Sequence, residues 1–454
     1  MAPAPHGGMV GGSAGHLSRA EIDDNFVDIK PMLDKKRAIV DSARCFFCHD
    51  APCVEACPTG IDIPNFIRMI STGNTKGAAE KILAENIFGG MCARVCPTEI
   101  LCERSCVRNT SEDKPVDIGA LQRYAVDQLI EAGHQPFTRA ESTGKRIAVV
   151  GGGPAGLSCA HRLAVLGHAV TVYEARPHLG GLNEYGIAAY KTVDNFAQRE
   201  VDFILSIGGI DVKAGQRLGK DVQLADLARD YDAVFLGIGL GGVNTLDLAG
   251  EGELKGVLDA VGYIAELRQA KDKAVLPVGR KVVVIGGGNT AIDIAIQTKK
   301  LGAEDVTIAY RRGAENMSAT DHEQEFAQVS GVKIKHWVRP VALIGKNGAI
   351  AGIELEYTRI GLDGKLEGTG ETFTLECDQL FKAIGQTLTA PQGLTTAKGK
   401  IVVDGDFKTS MPKVWAGGDC VASGTDLTVQ SVQDGKLAAH AIDRALRGNG
   451  AAHG

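Results

Sequence analysis

The sequence predicts an α/β protein in which a helical, cysteine-rich N-terminal domain precedes two Rossmann-like dinucleotide-binding domains, the second inserted into the first. Three observations support this prediction. Eight of the eleven cysteines lie between Cys45 and Cys106. Two short apolar runs, 146–150 and 281–285, each lead into a glycine-rich loop. A further apolar run with a Gly-Gly-Asp turn, 413–419, stands near the end of the chain.

Length and composition agree with several packed domains. At about 150 residues per domain, 454 residues correspond to roughly three domains. The 58 glycines are roughly twice the average share, which suits tight turns between strands and helices. The net charge of −6 comes without a block of like charges, so nucleic acid and anionic membranes are not expected partners. No run of eighteen apolar residues occurs, so no transmembrane helix is expected.

The N-terminal residues 1–20 read as a flexible tail. They lack a basic segment followed by an apolar one, so they are not a signal peptide, and we expect a cytoplasmic protein. A disulfide framework is typical of small secreted chains and is not expected here. The three isolated cysteines, Cys159, Cys377 and Cys420, read as small buried apolar residues.

The eight clustered cysteines predict a soft-metal site. The first four read C-x2-C-x4-C-x3-C-P and are Cys45, Cys48, Cys53 and Cys57. This is a bacterial ferredoxin run with two extra residues before the third cysteine, and in such a run the fourth cysteine serves the other cluster. The second group is Cys92, Cys96, Cys102 and Cys106. Thiolates suit iron–sulfur clusters or zinc. A two-zinc docking module without redox function is therefore an alternative, although the spacing is not usual for zinc.

Helical patterns surround these cysteines, and strand signals are almost absent there. Asp62-Ile63-Pro64 reads as a cap before a helix over 65–71. Further helices are predicted over 78–86 and 119–132, the last with apolar residues at helical spacing. We assign 21–140 to this helical domain.

The first βαβ pattern has strands at 146–150 and 169–173 and a loop that reads G-x-G-x-x-G from Gly151 to Gly156. The first glycine permits a tight turn, the second lets a pyrophosphate approach the backbone, and the third lets the helix pack on the strand. Glu174 follows the second strand, where an acid would accept hydrogen bonds from ribose hydroxyls. A strand, a glycine loop, a helix, a second strand and an acid follow one another here, and together they predict a dinucleotide-binding site.

The second βαβ pattern has strands at 281–285 and 306–310 and the loop G-x-G-x-x-A from Gly286 to Ala291. Its second strand ends in Tyr310-Arg311-Arg312, without an acid. Arginine in this place favours a 2′-phosphate and hence NADP over NAD. The alternative is that both arginines are solvated surface charges.

Two dinucleotide folds beside cluster ligands predict an electron relay. A nicotinamide gives a hydride, a cluster accepts single electrons, and a flavin can exchange with both. The loop order favours FAD in the first domain, 141–275 and 386–454, and the nicotinamide in the second, 276–385. The late turn around Asp419 suits an FAD domain split by an insertion, with Asp419 contacting the ribityl chain; a plain turn residue is the alternative. A closing helix is predicted over 429–446.

These residues resemble the dihydropyrimidine dehydrogenase family, namely the N-terminal half of the single-chain enzyme and its bacterial separate-chain form, the PreT-type subunit. The chain is similar, less closely, to the glutamate synthase small subunit and to transhydrogenase subunits. The resemblance extends from about Ala43 onward. The stretches that carry it are Cys45–Ile63, Cys92–Cys106, Asp117–Tyr124 and Gly417–Lys436, the last with its Ser-Val-Gln-Asp-Gly-Lys.

The resemblance implies two [4Fe–4S] clusters with crossed ligands. One cluster would take Cys45, Cys48, Cys53 and Cys106. The other would take Cys57, Cys96, Cys102 and, as a neutral ligand, Gln122. Cys92 would then be no ligand. An amide in place of a thiolate makes a cluster less negative, which on electrostatic grounds raises its reduction potential.

The resemblance also implies nucleotide contacts. Those for FAD are Gly151, Gly153, Pro154, Ala155, Gly156, Glu174, Gly181, Leu182, Lys191, Leu218, Gly418, Asp419 and Thr428. Those for the nicotinamide nucleotide are Gly287, Gly288, Asn289, Thr290, Arg311, Arg312, Ala383 and Gly385. Lys191 stands where the family has an arginine and lacks its planar fork. Ser318 stands near the place of a further family arginine, which weakens the preference for NADP, and the bacterial branch is NAD-dependent.

The resemblance implies a reductase subunit that passes electrons from NAD(P)H through FAD and two clusters to a partner reducing uracil or thymine, in either direction. That partner would be an FMN- and iron–sulfur-containing catalytic subunit of PreA type, in a heterotetramer. No catalytic residue is expected in this chain, because the pyrimidine site belongs to the partner. The alternatives are a glutamate synthase small subunit and a transhydrogenase subunit.

Overall fold

The computed structural model describes residues 17–422 and 425–448. Helix α1 (Arg19–Asn25) begins within the predicted tail, because Ser18 caps it and Glu21 completes a capping box. The rest of the predicted tail, 1–16, lies outside the described residues. None of the eleven cysteines, all of which lie in the described ranges, forms a disulfide. None of the described helices is both long enough and apolar enough to cross a membrane.

The N-terminal part is helical, as predicted, and no strand occurs in residues 17–145. The predicted helices over 65–71, 78–86 and 119–132 correspond to the fourth, fifth and eighth helices. Each of the three begins one to three residues earlier than predicted, because Asp62, Asn74 and Asp117 occupy the N-cap positions. The helices after α1 are α2 (Lys35–Ser42), α3 (Pro52–Glu55), α4 (Ile63–Ser71), α5 (Thr75–Glu85), α6 (Gly89–Val95), α7 (Arg108–Glu112) and α8 (Ile118–Glu131).

Strands and helices alternate in the rest of the chain. In chain order they are β1 (Arg146–Val150), α9 (Pro154–Val165), β2 (Ala169–Glu174), α10 (Leu182–Tyr185), α11 (Phe196–Leu205), β3 (Ile210–Ala214), α12 (Leu224–Asp230), β4 (Ala233–Leu236), β5 (Gly242–Val243), β6 (Val257–Asp259), α13 (Ala260–Gln269), β7 (Lys281–Ile285), α14 (Asn289–Lys300), β8 (Asp305–Ala309), α15 (Asp321–Val329), β9 (Lys333–Lys335), β10 (Val338–Lys346), β11 (Ala349–Ile360), β12 (Leu366–Glu376), β13 (Gln379–Lys382), β14 (Gln386–Thr387), β15 (Thr396–Ala397), β16 (Lys400–Ile401), β17 (Val414–Ala416) and α16 (Thr428–Arg447).

The chain divides into two compact units. One holds Ile29–Glu184, Asp194–Gly242 and the described residues from Thr387 on; the other holds the described residues up to Asp28, Tyr185–Val193 and Val243–Gln386. The helical domain with the cysteines and the first glycine loop therefore belong to one unit, which we call the cysteine–flavin unit. The other, with the second glycine loop, is called the nicotinamide unit.

The cysteine–flavin unit is built on a parallel sheet of order β17-β4-β1-β2-β3. Strands β1 and β4 read as continuous apolar runs because both faces of this sheet are covered. Strand β17 joins the sheet beside β4, so the chain returns to its first sheet after the second glycine loop. The predicted interruption of one dinucleotide fold by another is confirmed.

The nicotinamide unit contains a second parallel sheet, of order β6-β13-β7-β8-β9. The predicted strands at 281–285 and 306–310 are β7 and β8. Strand β6 pairs with β13 in this sheet, although our predicted domain limit at 275/276 placed it in the FAD domain. The structural division falls earlier, after Gly242, because residues 257–269 pack within the second unit.

The nicotinamide unit also carries an antiparallel sheet of order β10-β11-β12 that the sequence analysis did not predict. A two-residue turn of Asn347 and Gly348, with φ of 53° and 77°, joins β10 to β11. Asn-Gly between alternating apolar and polar residues is a strong hairpin signal, because both turn positions need positive φ. The Asn-Gly pair is therefore the sequence signal of this sheet.

Candidate functional site

The first glycine loop lies between β1 and α9, and glycine is required at both of its ends. Gly151 has φ +101°, and a Cβ there would lie 2.2 Å from the carbonyl oxygen of Gly237. A Cβ on Gly156 would lie 1.8 Å from the carbonyl oxygen of Gly151, so only glycine lets α9 pack this closely. Pro154 opens α9 without loss of a helical hydrogen bond. The backbone amides of the first turn are thus presented to a bound pyrophosphate.

Glu174 ends β2 directly beside this loop, and its side chain is held by two backbone amides. Oε2 accepts a hydrogen bond from Gly152 N at 2.7 Å, and Oε1 accepts one from Arg176 N at 2.8 Å. The carboxylate is thereby fixed at the carboxyl edge of the sheet, next to the loop. An acid in this position accepts hydrogen bonds from ribose hydroxyls.

Segments that are distant in sequence meet at the first loop. A Cβ on Gly181 would lie 2.8 Å from the Cα of Gly153, and a Cβ on Gly418 would lie 2.8 Å from the Cβ of Ala155. Gly181 directly precedes α10, and Gly418 follows β17. The structure therefore brings three predicted FAD segments to one edge of the first sheet.

The remaining predicted FAD residues of this unit lie near the same edge. Thr428, the first residue of α16, donates a hydrogen bond to Asn183, which follows Leu182, at 3.0 Å. Leu218 packs against the apolar core cluster that includes Tyr173 and Val150.

Asp419 lies in a short 3-10 turn after β17 and is largely buried. Burial, together with the charge of nearby Asp426, raises the pKa of Asp419 to about 6, and Ser431 Oγ donates a hydrogen bond to Oδ1 at 3.1 Å. A carboxyl group whose pKa is near neutrality can accept a hydrogen bond from a hydroxyl group when it is ionised, and it can donate one to a hydroxyl group when it is protonated.

The second glycine loop has the same construction. Gly286 has φ +147°, and a Cβ there would lie 2.1 Å from the carbonyl oxygen of Ala383. A Cβ on Gly287 would lie 2.4 Å from the ring of Tyr310, which closes the loop from the end of β8. Asn289 and Thr290 form the first turn of α14, after the N-cap Gly288. The predicted nicotinamide segments therefore meet at the carboxyl edge of the second sheet. Gly385 joins this edge after β13, and its carbonyl oxygen accepts a hydrogen bond from Asn244 N at 3.2 Å.

Arg311 and Arg312 follow β8 at this same edge. Their backbone carbonyls accept hydrogen bonds from Thr358 Oγ1 at 2.9 Å and from Trp337 N at 3.2 Å, so the backbone is fixed. No ion pair or hydrogen bond to either guanidinium occurs within 17–422 and 425–448. Ser318 lies at the loop itself, since a Cβ on Gly288 would be 3.0 Å from its Oγ. Two positive groups without carboxylate partners in the described part of the chain fit the binding of a 2′-phosphate.

Lys191 lies in the nicotinamide unit, whereas the other predicted FAD residues belong to the cysteine–flavin unit. Its Nζ is 2.8 Å from Asp293 Oδ1 and 2.8 Å from Glu323 Oε1, and its side chain is 10% exposed. The two carboxylates outweigh the burial and raise the pKa of Lys191, so the ammonium remains charged. Both partners belong to the nicotinamide unit, on α14 and α15. A role of Lys191 at the flavin stays a prediction.

The first predicted cluster set converges on one surface cavity. Its four cysteines, Cys45, Cys48, Cys53 and Cys106, all line this cavity, together with apolar side chains such as Ile63 and Ile67. Burial raises the pKa of the Cys53 thiol to about 12, and burial likewise raises the pKa of Cys45. A thiolate here is therefore stabilised only by a positive centre such as iron, and four thiols around one cavity fit that demand.

The second predicted set lies deeper. Burial raises the pKa of the Cys96 thiol, and the neighbouring sulfurs of Cys92, Cys102 and Cys57 raise it further, which places these thiols together. Within the described ranges, no three His, Cys, Asp or Glu side chains are arranged to hold a single metal ion.

Gln122 and Cys92 are both buried, on different helices. Gln122 is buried on α8, and its Nε2 donates a hydrogen bond to the carbonyl of Gly89 at 2.7 Å. The tethered nitrogen leaves Oε1 as the amide atom for a metal. Cys92 is buried in the middle of α6, and burial raises the pKa of its thiol.

Sequence reasoning missed two charged side chains that hold the cysteine-bearing segments. Glu200 on α11 is fully buried and accepts hydrogen bonds from Gly90 N at 2.7 Å and Met91 N at 3.1 Å; burial raises its pKa to about 8. It shares the apolar face of α11 with Phe196 and Ile204, a signal that the sequence contained. The second charged side chain is that of Lys436 on α16, the last residue of the Ser-Val-Gln-Asp-Gly-Lys stretch 431–436.

Two family matches cover most of the chain. Residues 22–134 match the family described as dihydropyrimidine dehydrogenase domain II, 4Fe–4S cluster. Residues 145–435 match the family of pyridine nucleotide-disulphide oxidoreductases. Together with the two dinucleotide folds and the converging thiols, these matches define an oxidoreductase that uses FAD, iron–sulfur clusters and a nicotinamide nucleotide.

Two relatives of known name resemble the chain equally closely. The NAD-dependent dihydropyrimidine dehydrogenase subunit PreT of Salmonella typhimurium is 34% identical over 427 residues, which are 93% of this chain and 98% of that protein. The glutamate synthase [NADPH] small chain of Escherichia coli is 34% identical over 442 residues, which are 92% of this chain and 93% of that protein. The chain therefore belongs to the pyridine nucleotide-disulphide oxidoreductases, in the family of the PreT subunits and the glutamate synthase small chain.

Solved structures share the fold. FprA from Mycobacterium tuberculosis, in complex with NADPH, aligns with a TM-score of 0.57 at 20% identity, over 67% of this chain and 85% of that one. Thioredoxin reductase from T. acidophilum aligns with a TM-score of 0.52 at 19% identity, over 67% of this chain and all of that one. These likenesses confirm the predicted fold class.

Proposed function

We propose that the chain is the reductase subunit of a pyrimidine-reducing complex. It would carry electrons from NADPH or NADH through FAD and two [4Fe–4S] clusters to a partner that reduces uracil or thymine to the 5,6-dihydropyrimidine, and the direction can reverse. The observation that carries the proposal is the cysteine–flavin unit: four thiols around one cavity share a compact unit with a dinucleotide-binding loop. Cluster and flavin can exchange electrons only when they are held together.

The chain's own residues hold and orient the cofactors in this proposal. Glu174 and the first loop would bind the adenosine and pyrophosphate of FAD, and Asp419 its ribityl hydroxyls. The first cluster would be held by Cys45, Cys48, Cys53 and Cys106, and the second by Cys57, Cys96, Cys102 and Gln122. The convergence of the first set on one cavity and the burial of Gln122 beside α6 support these assignments.

The partner in this proposal is an FMN- and iron–sulfur-containing catalytic subunit of PreA type, in a heterotetramer. The name of the PreT relatives, which describes a subunit of a dehydrogenase, supports a separate partner chain. The partner would supply the pyrimidine site and the proton donor, so this chain needs no catalytic residue of its own.

The second candidate is a small subunit that serves a glutamate synthase, and the equal identity to the Escherichia coli small chain favours it. The partner would then be a large glutamine-dependent chain. The segment 117–124, which carries the buried Gln122, resembles the pyrimidine branch and favours the first candidate.

The deciding experiment is anaerobic oxidation of NADPH and NADH by the purified complex with uracil, thymine, or glutamine plus 2-oxoglutarate as acceptor. We expect oxidation with uracil or thymine and an FMN-containing chain that co-purifies. Oxidation that depends on glutamine and 2-oxoglutarate, with a large co-purifying chain, would establish the second candidate instead.

The choice between NADPH and NADH should depend on Arg311 and Arg312. We expect Arg311→Ala with Arg312→Ala to raise KM for NADPH tenfold or more and to leave KM for NADH nearly unchanged, because each charge-assisted contact to the 2′-phosphate is worth about 1.5–3 kcal/mol. Steady-state reduction of an artificial acceptor with both nucleotides measures this. Arg339→Ala, which removes an arginine paired with Glu356 on the antiparallel sheet, is the matched control. Equal losses with both nucleotides would contradict a 2′-phosphate site.

A further inference from the structure

Helix α16 is tightly joined to the helix of the first glycine loop. A Cβ on Gly435 would lie 2.1 Å from the carbonyl oxygen of Ala155, so glycine is required where the two helices cross. Ser158 Oγ on α9 also donates a hydrogen bond to the carbonyl of Val432 at 2.7 Å. The position of α16 is therefore set by the helix that would carry the FAD pyrophosphate.

The residue after Gly435 is Lys436, and its charge is buried. The residue is 8% exposed, and all three ammonium hydrogens have an acceptor: the carbonyl of Thr59 at 3.1 Å, the carbonyl of Glu85 at 3.0 Å and Glu85 Oε2 at 2.8 Å. A cation removed from water in this way is retained only when its hydrogen bonds are complete.

The two residues that accept these hydrogen bonds lie on the two segments that lead to the second set of thiols. Thr59 Oγ1 is 3.3 Å from the Sγ of Cys57. Glu85 ends α5, whose last carbonyls carry partial negative charge, and the chain runs from there into α6 and Cys96. One side chain from the closing helix therefore binds both segments, and its positive charge lies against the backbone of Thr59, whose hydroxyl group contacts the thiol of Cys57.

We propose that Lys436 is a positioning residue for the second cluster: it fixes the Cys57 loop and the start of the α6 segment to the FAD-binding helices, and its charge raises the reduction potential of that cluster. Reduction adds one negative charge to a cluster, and a nearby desolvated cation stabilises the reduced state. The inference rests on the proposed function only in that it presupposes the clusters.

The test is a redox titration, monitored by electron paramagnetic resonance, of the full-length holoprotein and its variants. The second cluster is identified as the signal lost in Cys96→Ser. Lys436→Met should lower its equilibrium constant for one-electron reduction tenfold or more, which corresponds to about 59 mV. Lys436→Arg should restore the wild-type value to within threefold. The signal of the first cluster should not move.

Two further variants separate charge from support. Glu85→Gln removes the carboxylate that neutralises the ammonium group of Lys436. It should therefore raise the reduction potential of the second cluster, whereas Lys436→Met should lower it. Arg444→Met is the control, since it removes an exposed positive charge from the same helix. If Lys436→Met protein no longer binds the second cluster, Glu85→Gln becomes the deciding variant. An unchanged or lower reduction potential of the second cluster in Glu85→Gln then overturns the proposal. Shifts in the same direction, or none, in both variants overturn it as well. Wild-type protein without iron would instead refute the proposed function.

Discussion

We expect Cys96→Ser to lose about half of the iron and acid-labile sulfide bound per chain, and Cys92→Ser to lose none. The two cysteines are four residues apart, about one helical turn; Cys92 is buried and Cys96 is partly buried. Cys96 follows the end of α6, whereas Cys92 is buried within that helix. Losing one thiolate ligand abolishes a four-ligand cluster, whereas losing a structural thiol does not.

Iron and sulfide analysis of anaerobically purified protein measures this difference. Cys159→Ser is a matched control, because Cys159 is buried in α9 and belongs to neither set. Equal losses of iron in Cys92→Ser and Cys96→Ser would show that the ligand assignment is wrong. Zinc in place of iron in the wild-type protein would contradict the cluster altogether.

The second large effect is expected for Gly156→Ala, which should purify without FAD. The added Cβ would stand 1.8 Å from the carbonyl oxygen of Gly151, a backbone atom that cannot turn aside. Either α9 moves away from β1 or the loop opens, and overpacking of this kind costs about 1–3 kcal/mol or more. The pyrophosphate-binding amides move with the helix, so the flavin absorbance per chain should fall at least tenfold.

Two comparisons make this result specific. Gly241→Ala, at a position with open space and ordinary φ, should retain FAD. Gly156→Ala itself should still bind NADPH, because the second glycine loop lies on its own sheet in the nicotinamide unit. A Gly156→Ala protein with full FAD content would show that the first loop does not bind the flavin.

Local patterns predicted the parallel strands and the dinucleotide loops well. Strands β1 and β7 have the predicted limits, because an apolar run that ends in glycine is set by short-range chemistry. The predicted domain limit at 275/276 differs from the structural division, because β6 is only three residues long and becomes a strand by pairing with β13. The two strands are about 120 residues apart in the sequence, so no local sequence pattern predicts that they pair.

Site residues that belong to a sequence motif were predictable, whereas charged residues that matter because they are buried were not. Both glycine loops follow from spacing, whereas the first cluster set was implied by the family resemblance. Lys436 and Glu200 are ordinary charged residues by composition, and only the contacts made by their helices show that both are buried. The ion pairs of Lys191 with Asp293 and Glu323 were not predicted, because these partners lie far away in sequence.

The position of β17 has a consequence for biosynthesis. Strand β4 is paired on one side with β1 and on the other with β17, which is made about 180 residues later. While the ribosome translates the intervening residues, one edge of an apolar, fully buried strand has no partner. FAD loading should therefore wait until the last segment has left the exit tunnel, and nascent chains arrested before residue 414 should be prone to aggregate and to recruit chaperones.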